Sequence, residues 1–169
     1  AQMAEEFKLG ERDVVLTNEF IYTPFMKDLG LKCHYVFQEK FGPGEPSEEM
    51  IQTMYDAIPY DSYDRVIAVG GGAIMDLCKL LGCKRPDTVH NLYFKRFPVV
   101  HEKDVIAIPT TCGTGSEVTN ISIMARTRIG TKLGLVSHAM YADYAVLIPQ
   151  LLEGLPFKVF AASSIDALV

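Results

Sequence analysis

A doubly wound α/β domain with a mainly parallel sheet is the fold this sequence predicts. Two apolar runs, Val66-Ile67-Ala68-Val69 and Val105-Ile106-Ala107-Ile108, are nearly unbroken and rich in β-branched residues. That is the pattern of strands covered by helices on both faces. Such runs alternate with segments of helical periodicity, as parallel strands with crossover helices require. Each of the two also opens directly into a bend rich in glycine or hydroxyl residues, which is where open α/β sheets bind ligands.

In chain order, Val14-Val15-Leu16-Thr17 follows the polar Glu11-Arg12-Asp13 and reads as a buried strand. Residues 20–29 read as a helix, with Gly30 just past its end. Residues 33–37 read as a second strand, and Gly42-Pro43-Gly44 as a loop. Ser47, ahead of Glu48 and Glu49, fits a helix N-cap with acids in the first turn. Met50, Ile51, Met54, Tyr55 and Ile58 then recur at helical spacing and predict an apolar, core-facing stripe.

Residues 66–69 form the third strand, and a helix follows with Ile74, Leu77, Leu80 and Leu81 on one side. Residues 105–108 form the fourth strand. Residues 121–124 and 132–136 read as a hairpin around Arg128-Ile129-Gly130, and residues 144–148 as a further extended run. Residues 157–169 read as a helix that ends on Ala-Leu-Val with no glycine cap, basic last turn or polar tail. An apolar helix face without a partner predicts that the chain is a fragment, and that this stripe favours self-association.

The net charge of −5, with Lys and Arg scattered, argues against general nucleic-acid binding. No apolar run reaches the length of a membrane span. The four cysteines form no C-x-x-C pair, which argues against a zinc ribbon, and no secretory signal opens the chain. Reduced thiols in the cytoplasm are the expectation.

Two bends carry the chemistry. In Gly70-Gly71-Gly72-Ala73-Ile74-Met75-Asp76 the glycines permit close approach of a ligand or a positive φ, and the helix start offers N–H groups to an anion such as a pyrophosphate. The spacing is not G-x-G-x-x-G, and a tight turn without a ligand is the alternative. The second bend, 109–119, packs threonines, a serine and glycines after a buried strand. Its hydroxyls suit ribose and base edges without adding charge beside a phosphate. The alternative is that Ser116 and Thr119 cap a following helix. Asp76 either caps its own turn or faces a ribose or nicotinamide. Lys132 either meets a phosphate or ribose oxygen or is merely solvated. His34, His90, His101 and His138 show no ligand spacing and read as surface histidines. Cys112 has no evident partner base and reads as a small buried residue.

The glycine bend with Asp76, followed by Pro109-Thr110-Thr111-Cys112-Gly113-Thr114-Gly115-Ser116-Glu117-Val118-Thr119, resembles the iron-dependent (group III) alcohol dehydrogenases. The resemblance runs over essentially the whole chain. Residues 111–122, Tyr141-Ala142-Asp143-Tyr144 and Leu155-Pro156-Phe157-Lys158 look most like the NAD-dependent members acting on 4-hydroxybutyrate. The resemblance implies a Rossmann-like, dehydroquinate synthase-like nucleotide-binding domain at 1–155. Residues 156–169 would then begin a C-terminal helical metal-binding domain, otherwise missing.

It further implies that Gly71 and Gly72 take the pyrophosphate of NAD, and that Thr110, Thr111, Thr114 and Val118 line the adenine and ribose pocket. Asp76 and Lys132 would lie near the nicotinamide ribose. Asp166, in Ser164-Ile165-Asp166-Ala167-Leu168-Val169, matches the first metal ligand, for Fe²⁺ or alternatively Zn²⁺. The family's next ligand, a His four residues on, falls beyond Val169. Ala73 stands where many members have Ser near the phosphate, and Ile148 precedes Pro149 where relatives usually carry Asp. Asn18 stands where many carry an acid that bonds the adenosine 2′-hydroxyl and repels a 2′-phosphate; Asn18 weakens that selection, with Glu19 beside it as a substitute acid, and NAD stays preferred over NADP.

The implied activity is a metal-assisted hydride transfer between the nicotinamide and a primary alcohol or aldehyde, such as 4-hydroxybutyrate to succinate semialdehyde. The partners would be a small hydroxy acid or alcohol and further copies of the chain, with no nucleic acid or membrane. A glycerol dehydrogenase or dehydroquinate synthase branch is one alternative. A dinucleotide-binding module without catalysis is the other for this chain alone.

Overall fold

The computed structural model describes residues 1–168. Its centre is a five-stranded parallel sheet in the order β2-β1-β3-β4-β7. The strands are β1 (Asp13–Thr17), β2 (His34–Phe37), β3 (Arg65–Gly70), β4 (Asp104–Pro109) and β7 (Tyr144–Ala145). Strands β5 (Ile121–Arg126) and β6 (Thr131–Val136) form a separate antiparallel hairpin. The helices are α1 (Gln2–Glu6), α2 (Glu19–Phe25), α3 (Glu48–Ala57), α4 (Gly72–Gly82), α5 (Val89–Tyr93) and α6 (Phe157–Asp166). The expected doubly wound α/β class is therefore present, and strand order reverses between β1 and β3.

One sheet face carries the larger core. Val14, Leu16, Val66, Ala68, Val105 and Ala107 meet Met50, Ile51, Met54 and Tyr55 of α3 and Ile74, Leu77 and Leu81 of α4. Each buried Val, Leu, Ile or Met side chain here contributes roughly 1.5–3 kcal/mol. The Ser47 hydroxyl accepts from Met50 N at 3.1 Å, which is the expected N-cap of α3. On the other face Val15, Ile67, Val69, Ile106 and Ile108 meet Ile21 and Met26, with Phe7, Leu9, Val146 and Ile148 packed at the margin. No helix among the described residues is long and apolar enough to cross a membrane.

Four details differ from the sequence reading. The helix expected over 20–29 stops at Phe25, one residue beyond Pro24, and a short 3-10 turn at Lys27–Leu29 leads to Gly30 at φ 61°. No helix begins directly after the second bend; a single 3-10 turn, Ser116–Val118, leads into β5, so Ser116 and Thr119 do not cap a following α-helix. The extended run at 144–148 narrows to a two-residue strand. Among the described residues α6 ends at Asp166, and Val169, part of the expected helix, lies outside them.

Candidate functional site

The carboxyl ends of β3 and β4 lie side by side, with Gly70 opposite Pro109. Thr110 N donates to Gly70 O at 2.9 Å, so the two bends leave the sheet tied together. Their packing explains the glycines. A β-carbon at Gly70 would lie 2.5 Å from Ile74 Cγ1, and one at Gly72 2.9 Å from Thr114 Cγ2. Neither would fit without a shift. At Gly71 a β-carbon would meet only Thr111, at 3.6 Å, an ordinary contact. None of Gly70, Gly71 and Gly72 has a positive φ, so close approach and not backbone handedness is their reason. Gly71 is the exception that the protein's own packing does not require, and it leaves open space beside Thr111 at the start of α4.

The rest of the second bend turns towards α6. A β-carbon at Gly113 would lie 2.4 Å from Ser163 O and 3.0 Å from Asp166 Oδ2. Asp166 is exposed, and no described residue hydrogen-bonds its carboxylate. Thr110 is buried, Thr111 and Ala73 are half-buried, and Thr114 and Val118 are exposed. Cys112 is exposed, contrary to the buried position expected from its sequence. It sits on the rim, with its sulfur 3.2 Å from Ser163 Oγ and 3.6 Å from Ser164 Oγ. Those hydroxyls, Ser163 first, hold the thiol below its ordinary value.

Asp76 and Lys132 are engaged with protein groups. Asp76 is buried on α4; Oδ2 accepts from Ile123 N at 2.9 Å, and Oδ1 lies 3.3 Å from Lys79 Nζ. It therefore clips the hairpin to α4 and does not cap its own turn. Lys132 is exposed on β6 and pairs with Glu45 at 2.6 Å. Asn18, at the carboxyl end of β1, is buried and donates to Gln38 Oε1 at 3.1 Å.

Sequence reasoning missed Lys79. It lies on α4 and is only 2% exposed. Its ammonium donates to Ile121 O at 2.8 Å and Thr119 Oγ1 at 3.2 Å. Burial pushes the Asp76 carboxyl up and the Lys79 ammonium down, while their opposite charges partly offset both effects. The i, i+3 spacing of Asp76 and Lys79 within an apolar helix was the available signal.

His101, Asp104 and Asp143 bring ligand-type atoms within 4.8 Å of one another. They gather at the start of β4, away from the glycine and threonine bends. Asp143 Oδ2 lies 3.1 Å from His101 Nε2 and accepts from Val105 N at 2.7 Å, which secures the lead into β7.

The fold and site geometry have counterparts in known proteins. The family model for iron-containing alcohol dehydrogenase matches residues 1–149. The chain is 48% identical over 163 residues to 4-hydroxybutyrate dehydrogenase of Clostridium kluyveri, an alignment covering 96% of this chain and 44% of that one. It is 41% identical over 130 residues to sulfoacetaldehyde reductase of Bilophila wadsworthia, covering 74% of this chain and 33% of the relative. Among solved structures, sulfoacetaldehyde reductase from Bifidobacterium kashiwanohense in complex with NAD⁺ superposes with a TM-score of 0.82 at 25% identity, over 98% of this chain and 45% of that one. An iron-containing alcohol dehydrogenase from Thermotoga maritima gives 0.81 at 27% identity, covering 99% and 49%. The chain thus spans less than half the length of the relatives it matches.

Proposed function

Because this chain belongs to the iron-containing alcohol dehydrogenase family, we propose that it is the dinucleotide-binding part of an NAD-dependent oxidoreductase. The observation that carries this reading is Gly71: a glycine with room for a side chain and an ordinary φ, set between Thr111 and the start of α4. The fold does not demand glycine there, whereas a pyrophosphate lying against the backbone does.

In this reading residues 1–155 are the nucleotide domain, and 156–169 begin a helical metal-binding domain. Gly71, Gly72 and the Ala73 N–H receive the pyrophosphate. Thr110, Thr111, Thr114 and Val118 line the adenine and ribose pocket, and Asn18 meets the adenosine ribose. Asp76 shapes the nicotinamide side through the hairpin it anchors. Lys132 reaches a ribose oxygen only by leaving Glu45. The resemblance to the Clostridium kluyveri enzyme makes 4-hydroxybutyrate the substrate of choice.

Held by the two bends, NAD⁺ would supply the hydride acceptor for alcohol oxidation, the hydroxyl proton leaving to solvent. Asp166 suits one oxygen ligand of a divalent cation, because its carboxylate is exposed and free of hydrogen bonds from described residues. Iron, or zinc in its place, would supply Lewis-acid polarisation of the substrate oxygen. One carboxylate does not hold such an ion, so in this reading Asp166 would share it with ligands from outside residues 1–168.

Full-length polypeptide supplied with Fe²⁺ and NAD⁺ should raise absorbance at 340 nm on addition of 4-hydroxybutyrate, and Asp166→Asn should lower both iron retention and that rate. No rise with any primary alcohol would defeat the activity. No calorimetric response to millimolar NADH from the folded chain would defeat the dinucleotide reading itself.

A further inference from the structure

Asn18 occupies the N-cap position of α2 yet makes no side-chain cap there. An N-cap Asn normally turns its amide oxygen onto the helix, a contact worth about 1 kcal/mol. Glu39 instead serves the first N–H of the helix, with its Oε1 accepting from Glu19 N at 3.0 Å. Asn18 is turned away to donate its Nδ2 to Gln38 Oε1 at 3.1 Å.

The orientation of both amides follows from chemistry. Gln38 Nε2 lies 3.1 Å from Gly42 O and 3.2 Å from Gly44 O. Carbonyl oxygens only accept, so the nitrogen of Gln38 faces them and its oxygen faces Asn18. Asn18 must then present its NH₂ to Gln38, which leaves its Oδ1 as the unengaged atom. The register of β1 with β3, Leu16 opposite Ala68, carries Asn18 level with Gly70 at the reversal of strand order. An acceptor is thus held beside the glycine bend. A ribose hydroxyl can donate to it; a phosphate cannot.

We infer that Gln38 and Glu39, both outside the two bends, decide the choice between NAD and NADP. Gln38 turns Asn18 so that the ribose meets an amide oxygen, and Glu39 fixes a negative charge against a phosphate on the same sugar. Lys40, next along the chain, lies over the Phe37 ring at 5.2 Å and forms no ion pair with Glu39. Lys132 is paired with Glu45. The inference rests on the dinucleotide reading above and adds the basis of its selectivity.

The test is kcat/KM for NAD⁺ and NADP⁺ with the full-length enzyme, with thermal melting as the folding control. Glu39→Gln keeps an acceptor for Glu19 N and removes the charge; it should raise the NADP⁺/NAD⁺ efficiency ratio roughly 5- to 20-fold, mainly through KM for NADP⁺. Gln38→Met frees the Asn18 amide to rotate; it should raise KM for NAD⁺ severalfold and raise the same ratio, with kcat held. Glu19→Gln, an exposed neighbour, should leave the ratio in place. A ratio within about twofold of the parent in folded Glu39→Gln and Gln38→Met, or a response confined to Glu19→Gln, overturns the inference. Should either variant fail to fold, the parent enzyme decides: its discrimination against NADP⁺ should weaken as salt rises from about 0.01 to 0.5 M, and a salt-independent ratio overturns the role of Glu39. Failure of the parent to use either cofactor would instead overturn the dinucleotide reading.

Discussion

The Gly72 backbone passes so close to Thr114 that a β-carbon at position 72 would lie 2.9 Å from the threonine methyl and 3.0 Å from its hydroxyl oxygen. The two bends are therefore one object, and substituting either side of the contact disturbs both. Gly72→Ala should weaken NADH binding by at least about tenfold, since a displaced bend loses directed N–H contacts worth ~1.5–3 kcal/mol each to a charged group. Thr114→Ala added to Gly72→Ala should restore part of that loss by removing both offending atoms. Fluorescence titration of bound NADH measures this directly. A double variant no better than the single one would contradict the steric account.

Gly71 makes the complementary case. An added methyl group makes only an ordinary contact with Thr111. Gly71→Ala should therefore leave the melting temperature within about 2 °C of the parent, a change of no more than about 1 kcal/mol, while still weakening NADH binding roughly tenfold. A large stability loss with unchanged binding would show that the glycine serves the fold and not a ligand.

The Asp76–Lys79 pair is a structural commitment of α4. Lys79→Met should cost about 3–5 kcal/mol, because it leaves a buried carboxylate without its counter-charge. The pH dependence follows from linkage. Burial already raises the Asp76 carboxyl in the folded protein, and losing Lys79 raises it further. A carboxyl raised on folding favours the native state below its unfolded value and loses that advantage as pH rises through the folded value. The deficit of Lys79→Met should thus be largest at neutral pH and shrink as pH falls towards about 4. Adding Asp76→Asn should recover part of the loss, since the amide oxygen still accepts from Ile123 N. Urea unfolding at several pH values provides the measurement.

Cys112 should be the first thiol alkylated by iodoacetamide. The Ser163 and Ser164 hydroxyls lower its pKa, whereas burial pushes Cys33 to about 11 and Cys83 to about 12, and Cys78 well above its ordinary value. Only the thiolate reacts, so a lowered pKa moves the rate–pH curve of Cys112 to lower pH, and Ser163→Ala should move it back up. NADH should slow the labelling if the threonine bend closes over a ligand. Mass spectrometry showing Cys33 or Cys78 modified first would contradict the assignment.

Much of this architecture was legible in residue order because it rests on local rules. Unbroken β-branched runs marked β3 and β4 as strands buried on both faces. Ser47 ahead of two acids marked a helix start, and Arg128-Ile129-Gly130 marked a hairpin turn. Gly-Gly-Gly and the threonine-rich bend were visible as candidate sites, because both follow buried strands at the sheet edge where open α/β folds bind ligands. The class of sheet, the position of both bends and the family resemblance all follow from such patterns.

The remainder depends on which atoms meet across large sequence separations. No periodicity brings Gly72 to Thr114 or Gly113 to Asp166, and none shows that, of the three glycines in the first bend, Gly71 is the one with room to spare. Cys112 looked like a core residue because small, apolar-tolerant side chains usually are, yet its loop turns it outward against α6. Lys79 sits in an apolar helix where a charge seems misplaced until Asp76, Thr119 and the Ile121 carbonyl enclose it. Asn18 is a proper helix cap by its place in the chain, and only the Gln38 side chain, held by two carbonyls of the next loop, turns it to another task. Local preferences act over a few residues and can be read in order; hydrogen-bond direction and steric room exist only once distant segments have packed.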